Sequence, residues 1–587
     1  MTTSSATASS SLDPAAELDR RFAASIEQAA PSAAGHADAA VRRSRRADYQ
    51  VNGIIAAAKA SGARPADLAT EVLARTDLSD LADDVSVANA GFINVNLSEK
   101  YLTQAIGRLR DDPRLGTQLA DVTQIVVVDY SHPNVAKEMH VGHLRTTIIG
   151  DAIVRLMQRQ GHAVIRENHI GDWGTPFGML IEHLVDIGEA KAARELSVGD
   201  LTEFYQEARV KFDSDQDFAD RSRKRVVTLQ SGDPVSRRLW QVLVDQSAAY
   251  FQRVYDELEV ELTPDDIMGE SAYNDMLPAL VPDLRAAGIL VESDGAQCVF
   301  PPGFTGRDGS PLPLIVQKKD GGYGYAATDL ATIRDRVDRL GATLLLYVVG
   351  APQRLHLEMC FAVARMAGWL KAGREAIHVP FGTVLGPDKK PFRTRAGGTT
   401  KLIDLLDEAV AKAERLVDEK SPHLTGDERN EVAQAVGIGA IKYADLSVDR
   451  NRDYVFDWDR MLSFDGNTGP YLQYAHARAR SVLRKSGEQK GSFGAHVHPA
   501  HPGERELCLD LLSYGTEVAQ ASADYSPHKL CGYLHKLASD FTAFYEACPV
   551  LSAEPEIRAS RLALTALVAD VLRDGLGLLG IETPERL

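Results

Sequence analysis

Apolar residues recur along this chain in two rhythms. From Pro14 onward, "AAELDRRFAASIEQAA" and "PADLATEVLARTDL" place them every three or four positions, which predicts helices, and "GFINVNL" alternates as a short strand does. The character changes at "TQIVVVDY", a continuous β-branched run of the kind buried on both faces of a parallel sheet. A loop, the amphipathic "HLRTTIIGDAIVRLMQRQG" and a second strand-like piece, "HAVIRENHI", follow it and complete a βαβ unit. The same sheet resumes in "TLLLYVVG" and "AIHVPFGTVLG", with helical "LHLEMCFAVARMAGWL" between them. Two insertions separate the halves, a charged helical one over about 186–260 and a Gly/Pro-broken β one over about 285–320. After about residue 400 the pattern is helical to Leu587. The predicted organisation is a disordered tail (1–13), a small α+β domain (14–118), an α/β domain with insertions (119–400), a helical stem (401–465) and an all-α bundle (466–587).

Composition narrows the class. A chain of 587 residues exceeds what one core organises, and 44% hydrophobic with 25% charged residues is ordinary for a soluble protein. The longest apolar run, "LGATLLLYVVG", falls short of the roughly 18 residues a membrane span needs. The Ser/Ala/Thr-rich start lacks a secretory apolar segment, so a cytoplasmic protein is expected. Five scattered cysteines without a C-x-x-C pair argue for reduced, buried thiols and against a zinc knuckle. A net charge of -17 opposes a polyanionic partner on average. Local clusters run the other way, "RRSRR" at Arg42–Arg46 and "HARARSVLRK" with Arg478, Arg480 and Arg484. Each serves equally as a solvated helix face.

The most informative stretch is "SHPNVAKEMHVGHLRTTIIGD". It sets a loop, a glycine and a helix start directly after a buried strand, where open N–H groups and the helix dipole favour a phosphate. The Walker signature G-x-x-x-x-G-K-[ST] is absent, so another device must hold a triphosphate. His140 and His143, three apart, share one helix face and can converge on one oxyanion, with Gly142 letting a ligand approach the backbone. Two histidines that merely cap a helix satisfy the same spacing.

"HVGH" resembles the HIGH signature of class I aminoacyl-tRNA synthetases, and "VDYSHPNVAKEMHVGHLRTTIIGD" resembles arginyl-tRNA synthetases in particular. The likeness continues in order through "ENHIGDWGTPFGML", "YGYAATDLATIRDR", "GPDKKPFRTRAGGTTKLIDLLDEA", "GIGAIKYADLS", "FDGNTGPYLQYAHARAR" and "FYEACPVLSAEPEIRASRLAL". It implies a Rossmann-type catalytic domain, a tRNA-contacting N-terminal domain and an anticodon-binding bundle. The implied activity is arginine activation by ATP, then transfer to tRNA, with magnesium carried by the phosphates and no protein-bound metal. The implied partners are arginine tRNA, L-arginine and ATP, and the implied state is a monomer that needs tRNA for activation.

By the same resemblance His140, Gly142, His143 and His356 contact ATP. The usual KMSKS lysines are replaced by "KKPFRTRAGG", with Arg393 and Arg395, and Lys137 compensates. Asp129, Tyr325 and Asp329 would hold the guanidinium, and Asn134 and Gln353 the α-amino and carboxylate ends. Asn94, Tyr471, Arg478, Arg480 and Arg484 would touch tRNA. The sequence departs from the family at Pro176, Gly350, Ala351 and Pro352, and each proline removes an N–H and stiffens a loop expected at the amino-acid pocket. A paralogue that charges or resists an arginine analogue, and a non-catalytic tRNA-binding protein, are the alternatives.

Overall fold

The computed structural model describes residues 11–188, 201–392, 400–487 and 497–587, which form two compact units. One unit joins the chain up to Leu119 with 464–577 and 582–587. Of the expected tail, residues 1–10 lie outside the described residues, and Asp13 already caps the first helix, Pro14–Ala29, by accepting from Ala15 N at 2.8 Å. Strands β1 (Val41–Arg43), β2 (Tyr49–Val51), β3 (Ala82–Val87) and β4 (Ile93–Leu97) make an antiparallel sheet in the order β1-β2-β4-β3. In β4 the alternation of "INVNL" buries Ile93, Val95 and Leu97.

The N-terminal strands and helices pack with the helical C-terminal part. They share a unit with helices Gly469–Ser486, Pro502–Ala523, Pro527–Ala547 and Pro555–Leu578. Arg505 donates to the Asp48 carboxylate at 2.9 Å and to Leu97 O at 2.6 Å. Gly515 lies against the backbone of Gly116, where a Cβ would stand 2.0 Å from the carbonyl oxygen.

The other unit carries the parallel sheet. β5 (Ile125–Asp129) and β6 (Ala163–Glu167) are joined by the helix Val141–Arg159. The insertion contributes an antiparallel meander, β7 (Val291–Ser293), β8 (Ala296–Val299) and β9 (Leu314–Gln317). β10 (Leu344–Tyr347) and β11 (Glu375–His378) then return to give the order β11-β10-β5-β6, and β12 (Val384–Leu385) pairs with β13 (Tyr454–Val455). From β5 the chain goes to β6 on one side, and its later parallel strand, β10, lies on the other. The ends of β5 and β10 are therefore the point where strand order reverses, where such sheets open a crevice. Register sets Asp129 opposite both Glu167 and Tyr347 at that edge.

The Val141–Arg159 helix is buried from Leu144 to Val154, because helices 402–420 and 426–446 cover the face that the sheet does not. Its Arg145 is spent inside, on Asp445 at 3.2 Å and on Arg452 O at 2.9 Å. It approaches β5 so closely that a Cβ at Gly150 would stand 2.4 Å from the Cβ of Tyr130. Replacing a helical glycine by alanine ordinarily gains about 1 kcal/mol of propensity. Overpacking a filled core costs about 1–3 kcal/mol, and with the contact being backbone-adjacent the steric cost wins. Gly150→Ala should therefore lower the thermal unfolding midpoint of the protein, and a raised midpoint would show that strand and helix separate without cost.

Candidate active site

The loop after β5 holds three non-glycine residues in the left-handed region, Ser131 (φ 80°), His132 (φ 55°) and Ala136 (φ 59°). Each such residue costs of the order of 1 kcal/mol or more and persists only where the surroundings dictate it. Here a buried polar network does so. Ser131 N donates to Thr146 Oγ1 at 3.1 Å, Thr146 donates to Val348 O at 2.6 Å, and Ser131 Oγ meets Tyr255 Oη at 2.8 Å. Asn168 donates to the same tyrosine oxygen at 2.9 Å, and Ala136 N to Ser247 Oγ at 2.9 Å. The loop is thus tied to β6, to the segment after β10 and to the helix Pro234–Glu257.

At the helix start the two histidines cap each other's backbone. His140 Nδ1 accepts from Gly142 N at 3.0 Å, His143 Nδ1 accepts from His140 N at 3.1 Å, and their rings lie 4.1 Å apart. The first-turn N–H groups expected to stand open are therefore occupied: Val141 N also donates, to Thr400 O at 3.2 Å. Gly142 has a second reason to be glycine, since a Cβ there would stand 2.6 Å from His140 Cε1. Capping and ligand chemistry are not exclusive. Burial, with Lys137 beside it, lowers the pKa of His140, and burial lowers that of His143 to about 3, so both rings are neutral. With each Nδ1 accepting, the network assigns the proton of each ring to Nε2, which makes both Nε2 atoms donors suited to phosphate oxygens.

The described residues on either side of the expected second loop have fixed partners. Phe392 N donates to Val384 O at 3.0 Å on one side, and Leu402 N to Met139 O at 2.8 Å on the other, with Lys401 paired to Glu138 at 2.9 Å. Arg393 and Arg395 themselves lie outside the described residues.

Next to the loop is a cavity of about 780 Å³, lined among others by Asn134, Lys137, Glu270, Tyr325 and His356. Gly171 gives the Asn134 side chain its place, because a Cβ there would lie 2.3 Å from Asn134 Oδ1. Tyr325 opens the helix Tyr325–Asp338 and is 77% exposed, with Asp329 one turn on. Asp329 is paired to His356 Nε2 at 2.5 Å, and this contact raises the histidine pKa. His356 therefore stands with the amino-acid candidates in the cavity, whereas His140 and His143 are not part of its lining. Lys137 lies 4.5 Å from the ring centroid of Tyr205, another lining residue, a cation–π contact that sequence reading missed.

Asp129 is placed differently from its expected role. It is 3% exposed, and its two oxygens meet His132 Nε2 at 2.6 Å and Arg336 Nη2 at 2.8 Å. Burial opposes its charge, yet Arg336 and His132 hold the carboxyl far below the usual range. The guanidinium it serves is the protein's own. The carboxylate that the cavity does present is Glu270, just after the first insertion, whose pKa burial and the nearby Asp172 and Asp329 push up to about 7. Ser271 fixes the stretch by donating from its N to Asp172 Oδ1 at 2.8 Å. No local periodicity or motif marks Glu270, because its partners come from "GDWG" a hundred residues earlier.

The departures are milder than expected. Pro176 lines the cavity but is the first residue of the helix Pro176–Ile187, where its missing N–H costs nothing. Pro352 lies in the short turn Ala351–Gln353; it is exposed, as is Gln353, and neither lines the cavity. In the first unit, Asn94 accepts from Gln50 at 2.8 Å and Tyr471 meets Thr542 Oγ1 at 3.4 Å. The arginines of the expected basic face are partly spoken for. Arg478 sits over Tyr474 and Tyr545, at 4.7 and 5.6 Å, while Arg480 and Arg484 reach Glu585 at 2.7 Å each. All five cysteines are buried and outside any disulfide, and no helix among the described residues is long and apolar enough to cross a membrane.

The chain is similar to known proteins along nearly its whole length. The family described as tRNA synthetases class I (R), catalytic domain, matches residues 108–458. An arginyl tRNA synthetase N-terminal domain matches 16–97, and a DALR anticodon binding domain 472–587. The chain is 51% identical to an arginine–tRNA ligase of Thermobifida fusca over 98% of its own length and all of the relative's. It is 50% identical to one of Streptomyces coelicolor, over 97% of this chain and 98% of that one. Among solved structures it is similar to the arginyl-tRNA synthetase of Plasmodium falciparum, at TM-score 0.84 and 29% identity over 99% and 100% of the two chains. That of Thermus thermophilus gives 0.81 and 26%, over 97% and 100%. A catalytic-domain match across the whole parallel-sheet unit, joined to relatives half identical from end to end, places the chain in the arginyl-tRNA synthetase family of class I.

Proposed function

We propose that the chain ligates L-arginine to its tRNA in two steps on the site after β5. The arginine carboxylate attacks the α-phosphorus of ATP and releases pyrophosphate. A hydroxyl of the terminal adenosine then takes the arginyl group from the adenylate and releases AMP. The observation that carries the reading is a cavity lined by Glu270 and by His356, which holds Asp329, next to the loop that leads into the histidine turn. Glu270, Asp329 and Tyr325 receive the guanidinium. Asn134 holds the other end of the amino acid from the cavity wall, and Gln353, exposed and outside that lining, would have to swing in to share the task. The Nε2–H groups of His140 and His143 donate to the α-phosphate as charge gathers there, an electrostatic contribution rather than proton transfer. Lys137, with Arg393 and Arg395, answers the pyrophosphate charge, and His356 orients Asp329.

Magnesium fits this site as an ion carried by the phosphates. Among the described residues, the two groupings with metal-ligand spacing are Asp329–His356–Cys360 and Glu506–Asp510–Asp540, and neither includes a residue of the histidine turn. When bound, it offsets charge on the leaving pyrophosphate. The first unit is the tRNA-binding part of the proposal, through Asn94 in the domain over 14–118 and through Tyr471, Arg478, Arg480 and Arg484 in the bundle over 466–587. Aromatic and guanidinium planes stack on unpaired bases, and Arg478 with Tyr474 and Tyr545 is already such a stack. The protein acts as a monomer in the cytoplasm, where its tRNA is.

Aminoacylation of total tRNA against a panel of amino acids, with canavanine and homoarginine included, should charge arginine alone by a wide margin. Preferred charging of an analogue would replace this reading with that of a specialised paralogue, and binding without charging with that of a non-catalytic protein. His143→Ala should slow ATP–pyrophosphate exchange by about 10²-fold and leave tRNA affinity intact. Loss of both would reduce His143 to a structural cap. Glu270 supplies a pH signature, since its carboxyl titrates near 7 in the free protein and must be ionised to meet a cation. Below that pH it is protonated, so the arginine KM should rise as pH falls through neutrality. Glu270→Gln should raise the KM about tenfold and flatten its profile, and an unchanged slope would move the titration elsewhere.

A further inference from the structure

His356 and Cys360 lie one turn apart on the helix Arg354–Met366 and so share a face, and Asp329 meets them from the helix Tyr325–Asp338. Asp329 Oδ2 is 2.5 Å from His356 Nε2, Cys360 Sγ is 3.7 Å from the same nitrogen, and all three ligand atoms lie within 4.8 Å of one another. We infer that these three side chains form a binding site for a thiophilic divalent cation of the zinc type, and that the ion, once seated, closes the cavity to arginine.

The geometry suits such an ion. Bond lengths near 2.0–2.3 Å and tetrahedral angles set a nitrogen and a sulfur on one zinc about 3.6 Å apart, and a nitrogen and an oxygen about 3.3 Å. The His356–Cys360 pair already has that spacing. Asp329 must withdraw by roughly 0.8 Å, which a rotation of its side chain supplies when the ion replaces the proton between it and His356. Three protein ligands leave a fourth position, and His356 lines the cavity, so a water takes it from that side. The side chains of Asp329 and His356 are 22% and 31% exposed while Cys360 is closed in the core, so the ion enters from the cavity and meets the thiol last. The proton between Asp329 and His356 and the proton of the thiol both leave to solvent. A thiolate and an imidazole favour zinc over magnesium, so magnesium brought in with ATP does not fill the site.

The consequence for arginine rests on the proposed role of Asp329, because an ion that takes this carboxylate removes an acceptor for the guanidinium. The site itself does not rest on that role, and cobalt(II) separates the two. Titrated into the full-length protein, cobalt should give a thiolate-to-metal charge-transfer band that saturates at one equivalent and is abolished by zinc. Cys360→Ala and Cys360→Ser should lose the band and weaken zinc inhibition of arginine charging by about 100-fold, while charging without added metal continues and reports that the variants fold. Saturating arginine should suppress the band in the unaltered protein, a readout that needs no variant. A missing band, a band that survives in both variants, or zinc inhibition that they do not relieve would overturn the site. A Cys360-dependent band that arginine leaves untouched would keep the site and refute the role given to Asp329.

Discussion

The buried guanidinium of Arg336 holds the working edge of this protein together. It is fully buried and donates at 2.6 Å to Glu167, at the end of β6, and at 2.8 Å to Asp129, at the end of β5. It also lies 4.9 Å from the ring of Tyr347, at the end of β10. Three neighbouring strands thus finish on one cation. Removing one partner from such a pair leaves an uncompensated buried charge, at about 3–5 kcal/mol. The strained loop at 131–136 departs from that fixed edge, and through it Asn134 and Lys137 reach the cavity. An arginine-binding protein therefore first binds an arginine of its own, and the acidic groups left for a ligand must come from elsewhere.

They come from the long excursion between β6 and β10, and this divides what the sequence discloses from what it does not. The parallel sheet is legible, because "IVVV" and "LLLY" are continuous apolar runs and the helices between the strands keep a period near 3.6. The histidine turn was legible as a place, since a strand, a loop and a helix start follow one another within twenty residues. Roles that depend on distant pairing were not. Nothing near Asp129 announces that Arg336, 207 residues on, will occupy it. Nothing near Glu270 announces that Asp172 and Asp329 will raise its pKa. The same limit hides the packing of the N-terminal segment with the bundle, for the Asp48–Arg505 pair spans 457 residues.

The histidine turn shows how one residue pattern satisfies two demands. Read as a sequence, H-x-G-H fits an anion site and a cap equally well; the structure shows the cap, and in the proposed reaction that cap prepares the anion site. Accepting a backbone N–H fixes each ring's tautomer and orientation, and burial keeps both neutral. In the proposed reaction such a neutral Nε2–H would meet a phosphate oxygen without placing a further cation against it. The cation of the proposed site is Lys137, which lines the cavity from the loop and rests on Tyr205. The helix dipole adds to this from the same end.

Selectivity follows from the same economy of charge. The cavity presents Glu270, with Asp172 and Asp329 near enough to help burial push its pKa up to about 7. An ammonium neutralises one carboxylate at a point, whereas a guanidinium offers five donors in a plane and can satisfy two acids and the Tyr325 hydroxyl together. Lysine would leave at least one acceptor poorly paired, at about 1–3 kcal/mol for each lost partner. A neutral ureido group would lose the charge as well. Discrimination of this size comes from acceptors that stay fixed, and Asp172 is fixed by Ser271, while Asp329 is fixed by His356. Pro176, which begins a helix at the cavity wall, stiffens that setting without removing a hydrogen bond from it.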